Sequence, residues 1–168
     1  QVHDILTKIG GIKNPKINTI LPCDKIFYYR NKMEYTFSGN PWYVDSEAYD
    51  DVIIGLHIPK RFDKILSINA CHINDSLFND LNTVIKKKVN VLKLEPYDVV
   101  NHKGFLRFLV LRIGVHTGQI MVNLVTAGSK PKLIKPLIET TAKLNIGMGN
   151  SISFSPDSKK VVFCLIKG

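Results

Sequence analysis

Apolar residues recur along the chain at two different periods, and the changes of period mark out its elements. Val2, Ile5, Leu6 and Ile9 step by three and four residues and run into Gly10-Gly11. That spacing predicts a short amphipathic opening helix with a glycine stop. Over residues 27–37 the pattern becomes alternation from Tyr29 onward, with Tyr29, Asn31, Met33, Tyr35 and Phe37 on one side. Arg30, Lys32, Glu34 and Thr36 fall on the other, so the segment reads as a strand with one charged face. The turn residues Ser38-Gly39-Asn40-Pro41 end it. Short strands are expected near residues 42–44, 52–57 and 64–68, which makes an antiparallel meander.

Helical spacing returns after Asp75-Ser76, a capping pair. Leu77, Leu81, Val84, Ile85 and Val89 share one face there, and Lys86, Lys87 and Lys88 gather where the helix dipole favours cations. Residues 105–115 are apolar on both alternations, as in a strand covered on both sides. His116-Thr117-Gly118-Gln119 turns that strand back into residues 120–126, and this hairpin belongs at the sheet centre. Pro131 and Pro136 bracket the start of a third helix ending near Leu144, and two last strands fit residues 151–154 and 161–166. The expectation is one α+β domain over residues 1–168, a mainly antiparallel sheet flanked by about three helices.

The length of 168 residues suits one core, and 45% hydrophobic with 22% charged residues describes an ordinary globular chain. No apolar run is long enough for a membrane span. Charge changes the picture more. Lys and Arg number 23 against 14 Asp and Glu, a net charge of +9, which favours an anionic partner. Residues 1–98 hold 13 basic and 12 acidic side chains, residues 99–168 hold 10 and 2, so the second part carries the positive field. Cys23, Cys71 and Cys164 lie far apart with no CxxC pair, which suits a reducing compartment such as the cytoplasm. The first residues show no secretory signal, and the absence of an initiator Met suggests a segment of a longer protein.

Few constellations carry chemistry. Arg30 and Lys32 on one strand face would lie about 7 Å apart, near the spacing of successive phosphates. A solvated face with cross-strand pairs to Glu34 accounts for them equally well, and spacing alone does not decide. Arg107 and Arg112 are an odd number of positions apart and emerge on opposite strand faces. At least one of these guanidinium groups is expected against a carboxylate or at a sheet rim. Gly147-Met148-Gly149-Asn150 resembles a cofactor-cradling turn, but only 18 residues follow Asn150, too few to build the sheet such a turn serves. Asn74-Asp75-Ser76 is better read as a helix cap than as a glycosylation sequon. Cys164 sits in an apolar run as an inert core thiol, and the five histidines show no HxH or HxxxH spacing.

Several segments, in order, resemble one family. Tyr28-Tyr29-Arg30-Asn31-Lys32-Met33-Glu34-Tyr35-Thr36-Phe37, Gly55-Leu56-His57, and Asp63-Lys64-Ile65-Leu66-Ser67-Ile68-Asn69-Ala70-Cys71 are followed by Tyr97-Asp98 and His102-Lys103-Gly104-Phe105-Leu106-Arg107. Arg112 and Gln119-Ile120-Met121-Val122-Asn123-Leu124-Val125-Thr126 complete the set. Together they are similar to the central domain of the tRNA/rRNA uracil-5-methyltransferases, over about residues 2–126. That family methylates C5 of uridine in RNA with S-adenosylmethionine, using a cysteine nucleophile and a carboxylate base in a C-terminal Rossmann-like domain.

The resemblance implies that the catalytic residues and the cofactor site lie outside this chain, which would position RNA and be inactive alone. It makes Arg30 and Lys32 the candidate RNA contacts and leaves Arg107 and Arg112 structural or peripheral. Many members also hold a 4Fe-4S iron-sulfur cluster, and Cys71 occupies the position of the fourth ligand. The other three cysteines would precede Gln1, so this chain would not hold the cluster by itself. The expected partner is RNA, either tRNA or rRNA, and no membrane. A stand-alone RNA- or protein-binding module without a catalytic partner is the alternative.

Overall fold

The computed structural model describes residues 1–42 and 52–142, together with the backbone of residues 151–154 and 160–166. Seven strands, β1 (Lys32–Ser38), β2 (Ile53–Ile58), β3 (Arg61–Ser67), β4 (Leu106–Ile113), β5 (Gln119–Thr126), β6 (Ser151–Phe154) and β7 (Lys160–Ile166), form one sheet. Their spatial order is β3-β2-β1-β4-β5-β7-β6, and every adjacent pair is antiparallel. The helices are α1 (Val2–Asp4), continued by a π-helical turn over Ile5–Ile9, α2 (Ser76–Val91) and α3 (Pro131–Ala142). The α+β class, the central β4–β5 hairpin and the two late strands agree with the sequence pattern.

Alternation on β1 buries Met33, Tyr35 and Phe37. The same core takes Leu109 and Leu111 from β4, Ile120, Val122 and Leu124 from β5, and the buried faces of α2 and α3. Asp75 caps α2 by accepting from Leu77 N at 3.0 Å, as the capping pair predicts. Phe78 joins the expected Leu81, Ile85 and Val89 on the buried face.

Four expectations change. The strand foreseen over residues 27–37 begins only at Lys32, because Tyr28 takes a positive φ of 55° that breaks an extended run. Ahead of it, Arg30 makes a single parallel bridge with Asn74. Pro136 lies inside α3 rather than at its start, while Pro131 opens the helix where its missing N–H costs nothing. The strand β4 is fully buried on one side only, since Phe108 and Val110 are half-buried. Near residues 42–44, Asn40–Trp42 lies along the outer edge of β3: Ile65 N donates to Asn40 O, and Trp42 N to Ile65 O. Residues 43 and 44, the Gly147–Asn150 turn and the end of the third helix at Leu144 lie outside the described residues, as does the side chain of Cys164.

The motif residues 97–107 have a structural explanation. Tyr97 N bonds Leu106 O and Asp98 N bonds Lys103 O, folding residues 95–106 back on themselves. The Asp98 carboxylate accepts from Val100 N, Asn101 N and Asn101 Nδ2, which closes the turn and holds its pKa below the usual carboxylate range. Gly104 sits at φ 101°, and a Cβ there would collide with the Pro96 carbonyl.

Gly55 meets the same constraint in mid-sheet, where a Cβ would strike the Leu66 carbonyl on β3. Gly55→Ala is therefore expected to lower unfolding stability by about 2 kcal/mol, and Asp75→Ala by about 1 kcal/mol. Both are read from urea midpoints at unchanged m-value.

Candidate nucleic-acid interface

The segment leading into β1 is pinned to the connection before α2. Tyr28 N donates to His72 O at 2.8 Å, Arg30 N to Ile73 O at 2.8 Å, and Asp75 N to Arg30 O at 3.2 Å. The Tyr28 hydroxyl lies 3.2 Å from His72 Nδ1, with the two rings edge-on at 6.2 Å. Behind this junction Asn74 is fully buried, donating to Asp75 O and receiving the Tyr35 hydroxyl at 3.5 Å. Burial, reinforced by the nearby Cys71 thiol, pushes the Tyr35 pKa up to about 12. The result is a rigid seat for Arg30 on a segment that has no strand geometry of its own.

A cleft of about 610 Å³ opens at this end of the sheet. Lys25, Tyr28, Tyr29, Arg30 and Asn31 line it together with the carboxylates of Asp24 and Asp75, and Gly114, Val115 and Gly118 from the β4–β5 turn border it. Tyr28 and Tyr29 are both about half exposed, so aromatic faces share one concave surface with Lys25, Arg30 and two carboxylates, of which Asp75 is engaged by Leu77 N. That combination can stack a nucleobase and neutralise its phosphate.

Arg30 and Lys32 do not share a strand face. Arg30 lies outside β1, and its guanidinium reaches Met33 Sδ at 3.8 Å, on the side of the buried alternation. Lys32 points the other way, and its partner across the β1–β4 ladder is Arg112. Both are exposed. Three ion pairs occur among the described residues, and none includes Arg30, Lys32 or Arg112. The cross-strand pairing with carboxylates that would have made this a plain solvated face is absent there.

The sequence leaves Arg112 structural or peripheral, and register places it across from Lys32. Nothing local to its segment signals this, because the pairing joins residues eighty positions apart, 112 − 32. Arg107 packs over the rings of Tyr97 (4.7 Å) and Phe108 (5.6 Å) at the end of β4, held by cation–π contact and not by a carboxylate. Its Nε is buried without a hydrogen-bond partner.

Cys71 is half-buried against the core, and its backbone is clasped by Asn79, with bonds of 2.9 Å to its N–H and 3.3 Å to its carbonyl. Among the described residues no group of three or more His, Cys, Asp or Glu converges to hold a metal. Cys71 therefore has no co-ligands here for an iron-sulfur cluster, and these residues do not fit one. No helix among the described residues is long and apolar enough to cross a membrane.

No protein-family model matches the chain. A Bacteroides thetaiotaomicron protein described as an uncharacterized RNA methyltransferase is 33% identical over 151 residues, 84% of this chain and 33% of its own length. A Chlorobaculum tepidum protein of the same description is 32% identical over 83% of this chain and 30% of its own length. A Nostoc protein, again so described, is 28% identical over 97% of this chain and 34% of its own. The chain thus spans about a third of the length of these relatives. Among solved structures, Pyrococcus abyssi tRNA (uracil-54, C5)-methyltransferase in complex with S-adenosyl-L-homocysteine aligns with TM-score 0.54 and 24% identity. It covers 77% of this chain and 28% of that one, and shows the shared fold.

The buried Tyr35 under the Arg30 seat gives a pH test. Its proton is retained in the folded state up to about pH 12 but leaves the unfolded chain near pH 10. Between those values the folded state holds the extra proton, so stability falls as pH rises. Tyr35→Phe is expected to flatten that alkaline decline in urea titrations relative to the parent chain, and an unchanged slope would refute the assignment.

Proposed function

The chain is homologous to one segment of proteins described as RNA methyltransferases, and on that premise we propose that it is their RNA-positioning segment. The observation that carries this reading is a pair of exposed cations outside any ion pair, Lys32 across from Arg112, with Arg30 in an aromatic cleft on the other side, in a chain with those relatives. The whole of residues 1–168 acts as one α+β unit whose sheet presents these groups at one end. Arg30 and Lys25 would meet the strand from within the cleft, Tyr28 or Tyr29 would stack a base, and Lys32 with Arg112 would hold the phosphates that follow.

The reaction proposed for the longer protein is methylation of uridine C5 in tRNA or rRNA, in the cytoplasm. Support comes from the uracil-C5 enzyme that shares the fold and from the ordered motifs that include Tyr29-Arg30-Asn31-Lys32. S-adenosylmethionine would supply the methyl group there. In this reading neither the nucleophile nor the cofactor site belongs to the present chain, whose own part is to bind and orient RNA.

Titration of the 168-residue chain with structured RNA tests the proposal. Arg30→Glu combined with Lys32→Glu is expected to weaken binding and to reduce the slope of log K against log salt by about 2, close to one per cation removed. Binding indifferent to salt and to both reversals would remove the RNA role. Tight S-adenosylmethionine binding or methyl transfer by this chain alone would place the chemistry here after all.

A further inference from the structure

A second group of cations and rings gathers on the turn between β2 and β3. The turn between β2 and β3 carries Lys60, held at φ 67°, and Arg61, Phe62 and Lys64 follow it. Phe62 is 72% exposed and Trp42 41%. The Arg61 guanidinium lies 5.9 Å over the Trp42 ring while forking onto both oxygens of Asp63 at 3.1 and 3.2 Å. Lys64 Nζ donates to Asn40 Oδ1 at 2.6 Å, and Asn40 Nδ2 donates to Asp63 O at 3.0 Å. The side chains around the tip are thus fixed by their neighbours, while Phe62 is left projecting.

Single exposed apolar residues are ordinary. Here the exposed ring sits among three cations and one carboxylate, and that carboxylate is already occupied by Arg61. The tip therefore keeps a net positive charge alongside two aromatic faces, the pairing of features that binds single-stranded nucleic acid without sequence readout.

Beside the tip lies a cleft of about 530 Å³, bordered by Ser38, Asn40, His57, Phe62 and the loop Pro96–Asn101. Its two carboxylates, Asp63 and Asp98, are each satisfied internally and both titrate below the usual range. Among the described residues no Lys or Arg lines the cleft to hold a phosphate. It suits an uncharged base lying against Phe62, with the backbone passing Lys60 outside.

We infer that the β2–β3 tip, Lys60 and Phe62 with the Arg61–Trp42 stack behind them, is a second single-stranded RNA contact. This rests on the RNA reading above and extends it. A strand of about 12 nucleotides is long enough to reach both contacts. Engagement of two linked contacts raises affinity beyond either alone.

The test is fluorescence anisotropy with single-stranded RNAs of about 4 and about 12 nucleotides. The chain is compared with Phe62→Ala plus Lys60→Glu, at exposed positions where the circular dichroism spectrum should not change. The tip variant is expected to lose about tenfold in affinity for the longer RNA and to bind it no better than the Arg30→Glu, Lys32→Glu variant does. Photo-crosslinking with 4-thiouridine RNA should label Phe62 or Trp42. Unchanged affinity of the tip variant for the longer RNA, with no label at either ring, overturns this inference and leaves the first contact standing. Loss of binding in the tip variant with none in the Arg30, Lys32 variant instead overturns the first reading and keeps this one. Failure of the parent chain to bind either RNA overturns both.

Discussion

The pairing of β1 with β4 is the constraint on which the rest of the structure depends. Its register joins Met33 to Leu111 and Tyr35 to Leu109, so two strands far apart in the chain contribute their apolar alternation to one core. The same register, read on the other alternation, sets Lys32 across from Arg112. Because side chains alternate with a period of two, core and basic cluster are one decision: a slip of a single residue would bury the cations and expose Tyr35. Burial of the core thereby pins the charged groups, and no interaction among the cations themselves is needed to hold them together.

Elements that depend on neighbours in sequence were readable from the residues alone. The Asp75 cap, the stripe of Leu81, Ile85 and Val89, and the glycine turn between β4 and β5 are each specified within a dozen positions. What escaped such reading depends on distant contacts or on a single backbone angle. The alternation from Tyr29 through Phe37 looks continuous, yet the αL angle at Tyr28 and the bridge from Arg30 to Asn74 detach its first part and turn Arg30 toward Met33. Arg112 offered only a charged residue in an apolar strand, and its meaning came from a partner some eighty positions upstream. Half of the candidate site was therefore legible: Arg30 and Lys32 as residues, but not their division between two sides of the sheet end.

Net charge proved a coarse guide. The excess of cations in residues 99–168 points toward a polyanion, but Arg30, Lys32 and Lys60 all belong to the nearly neutral first part. Their neighbourhood decides their value, since screened surface charges act over about 10 Å. Arg107 illustrates the converse, a cation spent on the rings of Tyr97 and Phe108. The motif residues 97–107 show a similar split between chemistry and architecture: Asp98 and Gly104 close a turn, with the carboxylate consumed by backbone and amide donors.

The hydrogen bonds that lay Asn40–Trp42 along β3 make the two rims of the sheet unequal. On the β3 rim the main-chain groups around Ile65 are already engaged, whereas among the described residues no segment pairs with the outer side of β6. Main-chain groups that are already paired cannot template a further strand at that point. The β6 edge lies across the sheet from the β2–β3 tip, so a strand added on that edge would leave Lys60 and Phe62 uncovered.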